Sequence, residues 1–533
     1  MIVIRNLRLE PEEPLETLVI RAAKRLRLGR GRITDWKLVK KSLDARKKDD
    51  LHYVCALAVS LDGDEAALLA RLRDGDVSAY TELDYPIPHA EAWSRPVVVG
   101  FGPAGMFAAL VLARAGARPI VLERGQDALS RQAAVERLRQ GGPLDPESNV
   151  QFGEGGAGTF SDGKLNTGIH DARLRWVLRE FYAHGAPESV LYDAKPHIGT
   201  DILVDVVQNI RREILELGGE VRFGAKMERL LLHDGAVTGL LVRQKGEQTE
   251  LPCAQVILAI GHSARDSFTA LHAQGVPMEP KPFSMGVRIE HRQADIDRAQ
   301  YGRDRGSLPA ADYSLNVHLP DGTSAYSFCM CPGGQVFAAA SEEGGVVTNG
   351  MSYSRRDGDN ANAALLVTLH TEDFPPAPPG QEPLAGMLWQ REIEQAAYRY
   401  GGGDYRAPAQ LVGDFLAHRP SEGPGGVLPS YRPGVVWGEL HQVLPDRMTK
   451  VLEAALPELG KKLRGFDAAD AVLTAPETRS SSPVRILRDE KRQSRVTGLF
   501  PCGEGAGYAG GISSAAVDGM RCAEAVIESL NGL

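Results

Sequence analysis

The stretch "PVVVGFGPAGMFAALVLARAGARPIVLERG", residues 96–125 and called the cradle below, constrains the fold more than any other part of the chain. Its valines run directly into Gly100, and no helix breaker follows Gly105 for ten residues. A strand, a tight turn and a helix are therefore predicted in immediate succession. Gly100, Gly102 and Gly105 have the spacing G-x-G-x-x-G. The first glycine permits the turn, the second lets a pyrophosphate approach, and the third lets helix pack on strand.

The residues around these glycines fit the same interpretation. A helix beginning at Pro103 and Ala104 would direct its free N–H groups and positive dipole end at phosphates. A second strand, "ARPIVLER", ends at Glu123 and Arg124, where a carboxylate can accept hydrogen bonds from an adenosine ribose. An acid at this place argues against a 2′-phosphate. The cradle therefore predicts a Rossmann-type dinucleotide site.

Length and composition indicate a large globular protein. The 533 residues exceed what one hydrophobic core organises and predict about two to four domains. No apolar run reaches about 18 residues, and the first residues lack the apolar core of a signal peptide, so we expect a cytoplasmic protein without membrane contact. Six scattered cysteines fit neither a disulfide framework nor a zinc site. No metal site is predicted.

Residues 1–90 are predicted to form a small α+β domain. "MIVIRNLRL" is typical of a strand, residues 15–26 have helical periodicity, and residues 34–61 indicate two strands around a charged turn, which gives the order βαββ. Residues 21–48 carry twelve Lys and Arg against two Asp, although the whole chain has a net charge of −8. This basic segment could contact nucleic acid. A solvated face beside the acidic remainder is favoured, because no aromatic stacking platform accompanies the arginines.

A second glycine-rich stretch, "NVQFGEGGAGTFSDGKLNTG" at residues 149–168, has six glycines interleaved with Thr159, Ser161, Asp162 and Lys164. This composition makes a poor helix and cannot form a core. Its backbone N–H groups could wrap an anionic cofactor, as anion-binding nests do. The alternative is a flexible surface loop.

Two later stretches also contain a buried strand that leads into a glycine-containing turn. An amphipathic helix at 201–217 is followed by short strands separated by turns, and a closing strand, 256–260, leads into Gly261. A plain NAD-binding domain would continue with β-α-β units here. Near the C-terminus, "VTGLFPCGEGAGYAGGISSAA" indicates a strand, an acidic turn and the start of a helix. The first and last segments are therefore predicted to share one cofactor.

The chain resembles the bacterial family of uncharacterised FAD-dependent dehydrogenases in the cradle, "QFGEGGAGTFSDGKL", "KPFSMGVRIEH", "SFCMCPGGQV", "TNGMSYSRRDGDNANAALL", "ETRSSSPVRI" and "PCGEGAGYAGGISSAA". This family is related to flavoproteins with the glutathione-reductase fold, and the resemblance covers nearly the whole chain. It implies an α/β fold in which residues 91–274 and 491–533 form a Rossmann-like FAD-binding domain of the glutathione-reductase type. Residues 275–490 would be an inserted α+β substrate domain covering the flavin.

The resemblance also implies roles for individual residues. Glu504 stands where these flavoproteins have an aspartate that binds the ribityl chain, and the helix that follows would direct its amides at the flavin. The strand with Ala259 and Gly261 would cover the adenine side. With the cradle and the second glycine-rich stretch, the candidate FAD ligands are Gly100, Gly102, Pro103, Ala104, Gly105, Glu123, Arg124, Gly156, Gly158, Thr159, Ser161, Asp162, Ala259, Gly261, Gly503, Glu504, Gly510, Gly511 and Ile512.

Lys164 and Cys331 are the candidate catalytic residues. A lysine beside the flavin would stabilise the negative charge that develops on reduction. Cys329 and Cys331 could form a redox dithiol or supply a nucleophile, but at i and i+2 of a strand they equally fit small core residues. Without a Cys-x4-Cys turn beside the cradle, a pyridine-nucleotide disulfide reductase is not predicted. Weaker candidates are His262, Arg288, Glu290, His291, Arg479 and Arg485.

These features predict an FAD-dependent oxidoreductase that moves a hydride or electrons between an unidentified small molecule and FAD. Because only one Rossmann fingerprint is present, NAD(P)H, if it is a transient reductant, would enter the same cleft. Two alternatives stay open. One is a tRNA-modifying flavoprotein, which the basic segment would suit, and the other is a non-catalytic FAD-binding sensor.

Overall fold

The computed structural model describes residues 1–82, 84–91 and 93–532. The N-terminal part consists of β1 (Ile2–Leu9), α1 (Thr17–Leu26), β2 (Ile33–Asp44), β3 (His52–Leu61), α2 (Glu65–Arg71) and β4 (Val77–Ala79). Its strands form an antiparallel sheet in the order β2-β3-β1-β4, covered by the apolar face of α1. The predicted order βαββ omitted α2 and β4. These elements have seven and three residues, too few to show a period in the sequence.

The next part of the chain contains the cradle and the second glycine-rich stretch. Its elements are β5 (Val97–Val99), α3 (Pro103–Arg114), β6 (Ile120–Leu122), α4 (Ala128–Arg139), α5 (Arg173–Ala183), α6 (Thr200–Glu216), β7 (Glu220–Arg222), β8 (Ala225–His233), β9 (Ala236–Gln244), β10 (Glu247–Pro252), β11 (Val256–Leu258) and α7 (Arg265–Ala273). Strands β8, β9 and β10 form the predicted antiparallel meander.

The following part is mostly β-structure with helices between the strands. Its elements are β12 (Met278–Pro280), β13 (Phe283–Arg292), α8 (Gln293–Tyr301), β14 (Asn316–His318), β15 (Ser324–Cys331), β16 (Gln335–Ala338), β17 (Thr348–Met351), β18 (Asn360–Leu369), α9 (Ala385–Tyr400), β19 (Ala407–Leu411), α10 (Val412–Leu416), β20 (Val435–Trp437), α11 (Asp446–Lys462), β21 (Val472–Glu477) and β22 (Val484–Ile486). The chain closes with β23 (Leu499–Pro501) and α12 (Ile512–Leu530).

A five-stranded parallel sheet, β23-β11-β5-β6-β7, brings the last strand beside the first glycine-rich turn. Strands β5, β6, β11 and β23 are buried throughout, as expected for strands covered on both faces. Helix α12 packs on α3, and Gly519 makes this close approach feasible. A Cβ there would lie 2.0 Å from the Ala104 carbonyl oxygen. The two ends of the predicted nucleotide site are thereby held together.

A seven-stranded sheet, β14-β15-β18-β13-β21-β19-β20, forms the core of the part between β12 and β22. Its central strands, β13 and β18, are buried along almost their whole length. Helix α11 packs against one face. Residues 435–437 pair with β19 as β20, and α11 begins after them, at Asp446. Within the described residues, no helix combines the length and apolar character needed to cross a membrane.

Candidate functional site

A cavity of about 450 Å³ lies between the parallel sheet and the seven-stranded sheet. One wall comes from residues that follow the carboxyl ends of β5, β6, β11 and β23, which is where open α/β sheets bind ligands. The opposite wall includes residues 327–330 at the end of β15, Glu477 at the end of β21, and Arg479 and Ser480 after it. The second glycine-rich stretch fills the space between these walls with residues 156–158 and 161–164.

Most sequence-predicted site residues line this cavity. They are Gly100, Gly102, Pro103, Ala104, Glu123, Arg124, Gly156, Gly158, Ser161, Asp162, Lys164, Ala259, Gly261, Glu504, Gly510, Gly511 and Ile512. His262, Cys329 and Arg479 line it as well. Ligand binding by these residues stays a prediction, but their convergence from distant segments is a property of the fold.

Among the candidate FAD ligands and the two candidate catalytic residues, four lie outside the cavity wall. Gly105 packs inside the turn, since a Cβ would lie 1.9 Å from the Gly100 carbonyl oxygen. Thr159 is buried and donates its hydroxyl hydrogen to the Glu154 carbonyl, so it lies behind the residues that line the cavity, and its contact with a ligand stays a prediction. Gly503 and Cys331 are covered by other residues. Proximity in the sequence did not reveal which side of each loop faces the cavity.

The cradle and the second glycine-rich stretch touch each other at their glycines. Gly100 has a φ of +97°, and a Cβ on it would lie 2.2 Å from the Ala259 carbonyl oxygen. Gly102 begins α3 with a φ of −76°, and a Cβ on it would lie 3.5 Å from its nearest neighbour, the Gly156 Cα. A Cβ on Gly156 would come within 2.8 Å of the Gly102 Cα. The two loops therefore present bare backbone to one side of the cavity.

Arg131 of α4, which no sequence motif singled out, organises the second glycine-rich stretch. Its fully buried guanidinium donates hydrogen bonds of 2.7–2.8 Å to the carbonyl oxygens of Asn149, Val150, Glu154 and Gly156. Burial lowers the pKa of Arg131 to about 10, so the side chain stays charged at neutral pH. No local pattern marks this arginine, because all its acceptors are backbone atoms of a distant loop.

Glu123 fixes the turns around it. Its carboxylate accepts hydrogen bonds from the backbone N–H groups of Phe101 (2.8 Å), Gly125 (2.8 Å) and Gly153 (2.9 Å). It joins the cradle to the second glycine-rich stretch while still lining the cavity. Its neighbour Arg124 is held by carboxylates from two other segments, Glu147 at 2.7 Å and Asp266 at 2.9 Å.

Glu504 lies at the opposite end of the cavity, beside the start of α12. Burial raises the pKa of Glu504 to about 7, although the Gly511 N–H donates to its carboxylate and Lys281 is a nearby cation. Gly510 and Gly511 have open space where a Cβ would stand. The N-terminus of α12 is therefore free of side chains where it meets the cavity.

Lys164 is held between the second glycine-rich stretch and β15. Its ammonium lies 2.8 Å from the buried carboxylate of Asp162 and donates to the Met330 carbonyl oxygen. Arg356 also pairs with Asp162, its Nε at 2.9 Å from Oδ1. Burial would raise the pKa of Asp162, but Lys164 and Arg356 together lower it to about 2. Burial would lower the pKa of Lys164, whereas Cys331 and Asp162 raise it overall.

Two buried ion-pair networks connect the cavity to its surroundings. Arg288 pairs with Glu477 at 2.9 Å and donates to the Cys329 carbonyl oxygen at 2.9 Å. Glu394 of α9 lies 2.8 Å from both Arg265 of α7 and Arg479. The second network links α7, which follows β11 of the parallel sheet, to α9 and to the segment after β21 of the seven-stranded sheet. It also places Arg479 in the cavity wall.

The remaining candidates divide between wall and core. His262 lies in the wall, and burial, aided by two nearby arginines, lowers its pKa to about 3, so it is neutral. Glu290 accepts hydrogen bonds from Asn360 and Ser430, and His291 bonds the Phe466 carbonyl oxygen at 2.8 Å. These two residues, like Arg485, are not among the residues that line the cavity.

Residues 282–480 match the family described as FAD-dependent protein, C-terminal domain-like, and residues 1–60 match a domain of unknown function, DUF8436. An uncharacterized protein of Clostridium beijerinckii is 47% identical over 536 residues, which cover 99% of both chains.

Several solved structures are similar at low identity. A geranylgeranyl bacteriochlorophyll reductase-like protein from Thermoplasma acidophilum is 12% identical, with a TM-score of 0.36 over 82% of this chain and 79% of the other. The glycerol-3-phosphate dehydrogenase from Bacillus halodurans complexed with FAD is 12% identical, with a TM-score of 0.35 over 83% and 66%.

The full-length relative shares nearly half its residues with this chain, and the matched C-terminal domain includes β15 and β21 of the cavity wall. This chain therefore belongs, with that relative, to the family of FAD-dependent proteins.

Proposed function

We propose that this protein is an FAD-dependent oxidoreductase whose flavin occupies the cavity between the two sheets. The observation that carries the proposal is that residues from four segments, 100–104, 123–124, 156–158 with 161–164, and 504 with 510–512, converge on one cavity although the first and last segments are about four hundred positions apart. The parallel sheet with the meander β8–β10 before β11, and with β23 from the C-terminus, supports the glutathione-reductase type of FAD-binding fold.

The walls suit the chemical parts of FAD. Bare backbone at Gly102 and Gly156, at the N-terminus of α3, suits a pyrophosphate. Glu123 and Arg124 would lie at the adenosine end. Glu504 and the open start of α12 would lie at the ribityl and pyrimidine end, where helix amides favour negative charge.

When bound, FAD would supply hydride or electron transfer at its isoalloxazine ring. The protein would position the flavin and would supply charged side chains around it. The ammonium of Lys164 places a positive charge in the cavity wall, because Asp162 and the Met330 carbonyl hold it there. Arg479 would offer a second cation to an acidic substrate, and neutral His262 beside it would accept or donate a hydrogen bond. NAD(P)H, as a reductant, would reach the flavin through this same cavity.

A nucleic-acid substrate has less support. Several cations of the basic segment 21–48 are paired with acids of the N-terminal part, in the ion pairs Arg21–Glu13, Arg25–Asp74, Lys37–Glu82 and Arg46–Asp44. Paired cations release few counterions on binding phosphates, so we expect at most weak binding whose affinity depends little on salt.

Anaerobic reduction of the bound flavin tests the proposal. NADH, NADPH and a panel of small hydroxy, amino and unsaturated acids would be added singly, and flavin absorbance followed. We expect at least one compound to bleach the flavin within a catalytic timescale. A flavin that dithionite reduces but that neither nicotinamide nor any panel compound reduces would support the sensor alternative against the oxidoreductase.

A further inference from the structure

The end of β15 has an irregularity at the Cys329-Met330-Cys331 segment. The pairing of β15 with β18 shifts register between Phe328 and Cys331, so a bulge interrupts the ladder there. Cys329 has a φ of +41°, which is uncommon for a residue with a side chain and is often found at functional sites. A regular strand would have given both cysteines the same environment, whereas the bulge gives them different environments.

The two cysteines differ in exposure. Cys329 lines the cavity and is partly exposed, whereas Cys331 is fully buried behind it. The Cys331 Sγ lies 3.3 Å from the Cys329 carbonyl oxygen. The sequence interpretation that singled out Cys331 for chemistry therefore named the inner member of the pair, and Cys329 is the member that a ligand can reach.

Two cations, Lys164 and Arg288, lie close to the Cys329 thiol. Lys164 donates to the Met330 carbonyl, and Arg288 donates to the Cys329 carbonyl at 2.9 Å. A hydrogen bond with Cys331 lowers the pKa of Cys329 to about 5, and the charges of Lys164 and Arg288 act in the same direction, whereas burial opposes them. The same hydrogen bond, together with burial, raises the pKa of Cys331. The acids that act against this thiolate are Asp162, Glu477 and Glu504.

The other cysteines differ from Cys329 in how their surroundings act on the thiol. Cys502 also lines the cavity and lies beside Cys522, but burial and the hydrogen bond with Cys522 raise the pKa of Cys502 well above its usual value. Burial alone raises the pKa of Cys253 to about 12, and burial is also the main cause that raises the pKa of Cys55 to about 11. Reactive thiols occupy electropositive and accessible places, whereas inert ones are buried among apolar groups. Among the described residues, Cys329 and Cys331 are the only pair of cysteines in which one is a stabilised thiolate in the cavity wall and the other is a thiol beside it.

We propose that Cys329 and Cys331 are a redox pair that cycles between a thiolate with a thiol and an intramolecular disulfide, exchanging two electrons with the flavin. This inference rests on the proposed FAD-dependent function. In the oxidising direction the Cys329–Cys331 S–S bond forms and the Cys331 S–H bond breaks. The two electrons and that one proton pass to oxidised flavin, which becomes the anionic reduced form. No electron or proton is left over, and Lys164 remains charged throughout.

Mass spectrometry of the full-length protein tests disulfide formation without relying on activity. The protein would be incubated with oxidised glutathione, blocked with iodoacetamide and digested. We expect a loss of about 2 Da and of both alkylation sites in the peptide containing residues 329–331. Cys329→Ser should abolish this change, as should Cys331→Ala, which leaves the buried site apolar. Cys253→Ser is the matched control and should retain it.

The pH dependence of alkylation tests the charge arrangement. Reduced protein should react at Cys329 with a midpoint near pH 5, because the thiolate is the reactive form and the pKa of Cys329 is about 5. Replacing Lys164 by Met removes one stabilising cation and should move that midpoint upward. A midpoint at the ordinary thiol value of about 8.5, unchanged by Lys164→Met, would overturn the assignment of Cys329 as the thiolate.

Electron counting connects the pair to the flavin. Anaerobic titration of the oxidised, FAD-loaded protein should consume about four electrons per FAD, two of them for the disulfide, against about two in Cys329→Ser. FAD content, measured on the same samples, separates the two proposals. Protein that binds no FAD overturns the proposed function and this inference with it. Protein that binds FAD, forms only a glutathione adduct at Cys329 and consumes about two electrons overturns the inference alone.

Discussion

Replacing Gly102 with Ala separates the fold of the cradle from its proposed ligand. The φ of Gly102 is −76°, which alanine adopts freely, and the new Cβ would meet its nearest neighbour, the Gly156 Cα, at 3.5 Å. That is an ordinary van der Waals distance, so the fold should accept the methyl group. At a helix N-cap, alanine is less favourable than glycine by roughly 0.5–1 kcal/mol, and the lower entropy of the unfolded alanine chain offsets about 0.4–1 kcal/mol, so we expect the free energy of unfolding to change by less than about 1 kcal/mol.

The ligand should respond more strongly. The methyl group would occupy the bare surface where the pyrophosphate approaches and would displace at least one charge-assisted hydrogen bond, worth roughly 1.5–3 kcal/mol. That loss corresponds to about a 10- to 150-fold weaker affinity for FAD. Gly102→Val, with a larger side chain, should abolish loading.

Two measurements on the FAD-free protein check this expectation. Chemical denaturation gives the stability, and quenching of flavin fluorescence gives the dissociation constant. Gly75→Ala is the control, because Gly75 is in the N-terminal part and has no atom within 4 Å of a Cβ position. Unchanged FAD affinity in Gly102→Ala would refute the assignment of this turn to the pyrophosphate. A loss of FAD affinity no larger than the loss in the free energy of unfolding would refute that assignment as well.

The same contacts predict four further outcomes. Lys164→Met should leave FAD bound but slow its reduction or lower its potential, since a cation is lost from the wall; unchanged stopped-flow kinetics and potential would remove Lys164 from the mechanism. Glu394→Gln leaves two buried arginines without their shared carboxylate and should cost about 3–5 kcal/mol in urea unfolding, whereas Glu342→Gln, at a more exposed partner, should cost under about 1 kcal/mol; equal losses would contradict this. Because the pKa of Glu504 is raised to about 7 in the folded state, the protonated carboxyl stabilises the fold, and this contribution is lost as the pH rises from about 4.5 to 7; FAD-free Glu504→Gln should gain stability relative to the unmutated protein across that window, and a constant difference would argue against it. Protein lacking residues 1–80 should keep its FAD, because every cavity-lining residue lies at position 99 or later; a folded but flavin-free truncation would show otherwise.

The local features of the site were readable from the sequence. The cradle depends on neighbouring residues, because Gly100 and Gly105 are required by backbone atoms a few positions away or on an adjacent strand. Its strand, turn and helix appear at β5 and α3. The second glycine-rich stretch was also identified, because glycine content alone marks a loop that can approach a ligand closely.

Features that depend on distant partners were not readable. Arg265 and Glu394 are 129 positions apart, and Glu394 and Arg479 are 85 apart, so no spacing rule connects them. Arg131 binds only carbonyl oxygens, which every residue carries. The bulge at Cys329 depends on the register with β18, and period-two alternation predicted a regular strand instead.

The amount of FAD released on heat denaturation of the purified full-length protein tests the central claim most directly. Four separate segments meet at one cavity whose walls suit each part of FAD, so we expect a yellow protein that releases about one FAD per chain. A colourless protein that cannot be reconstituted with added FAD would contradict the claim.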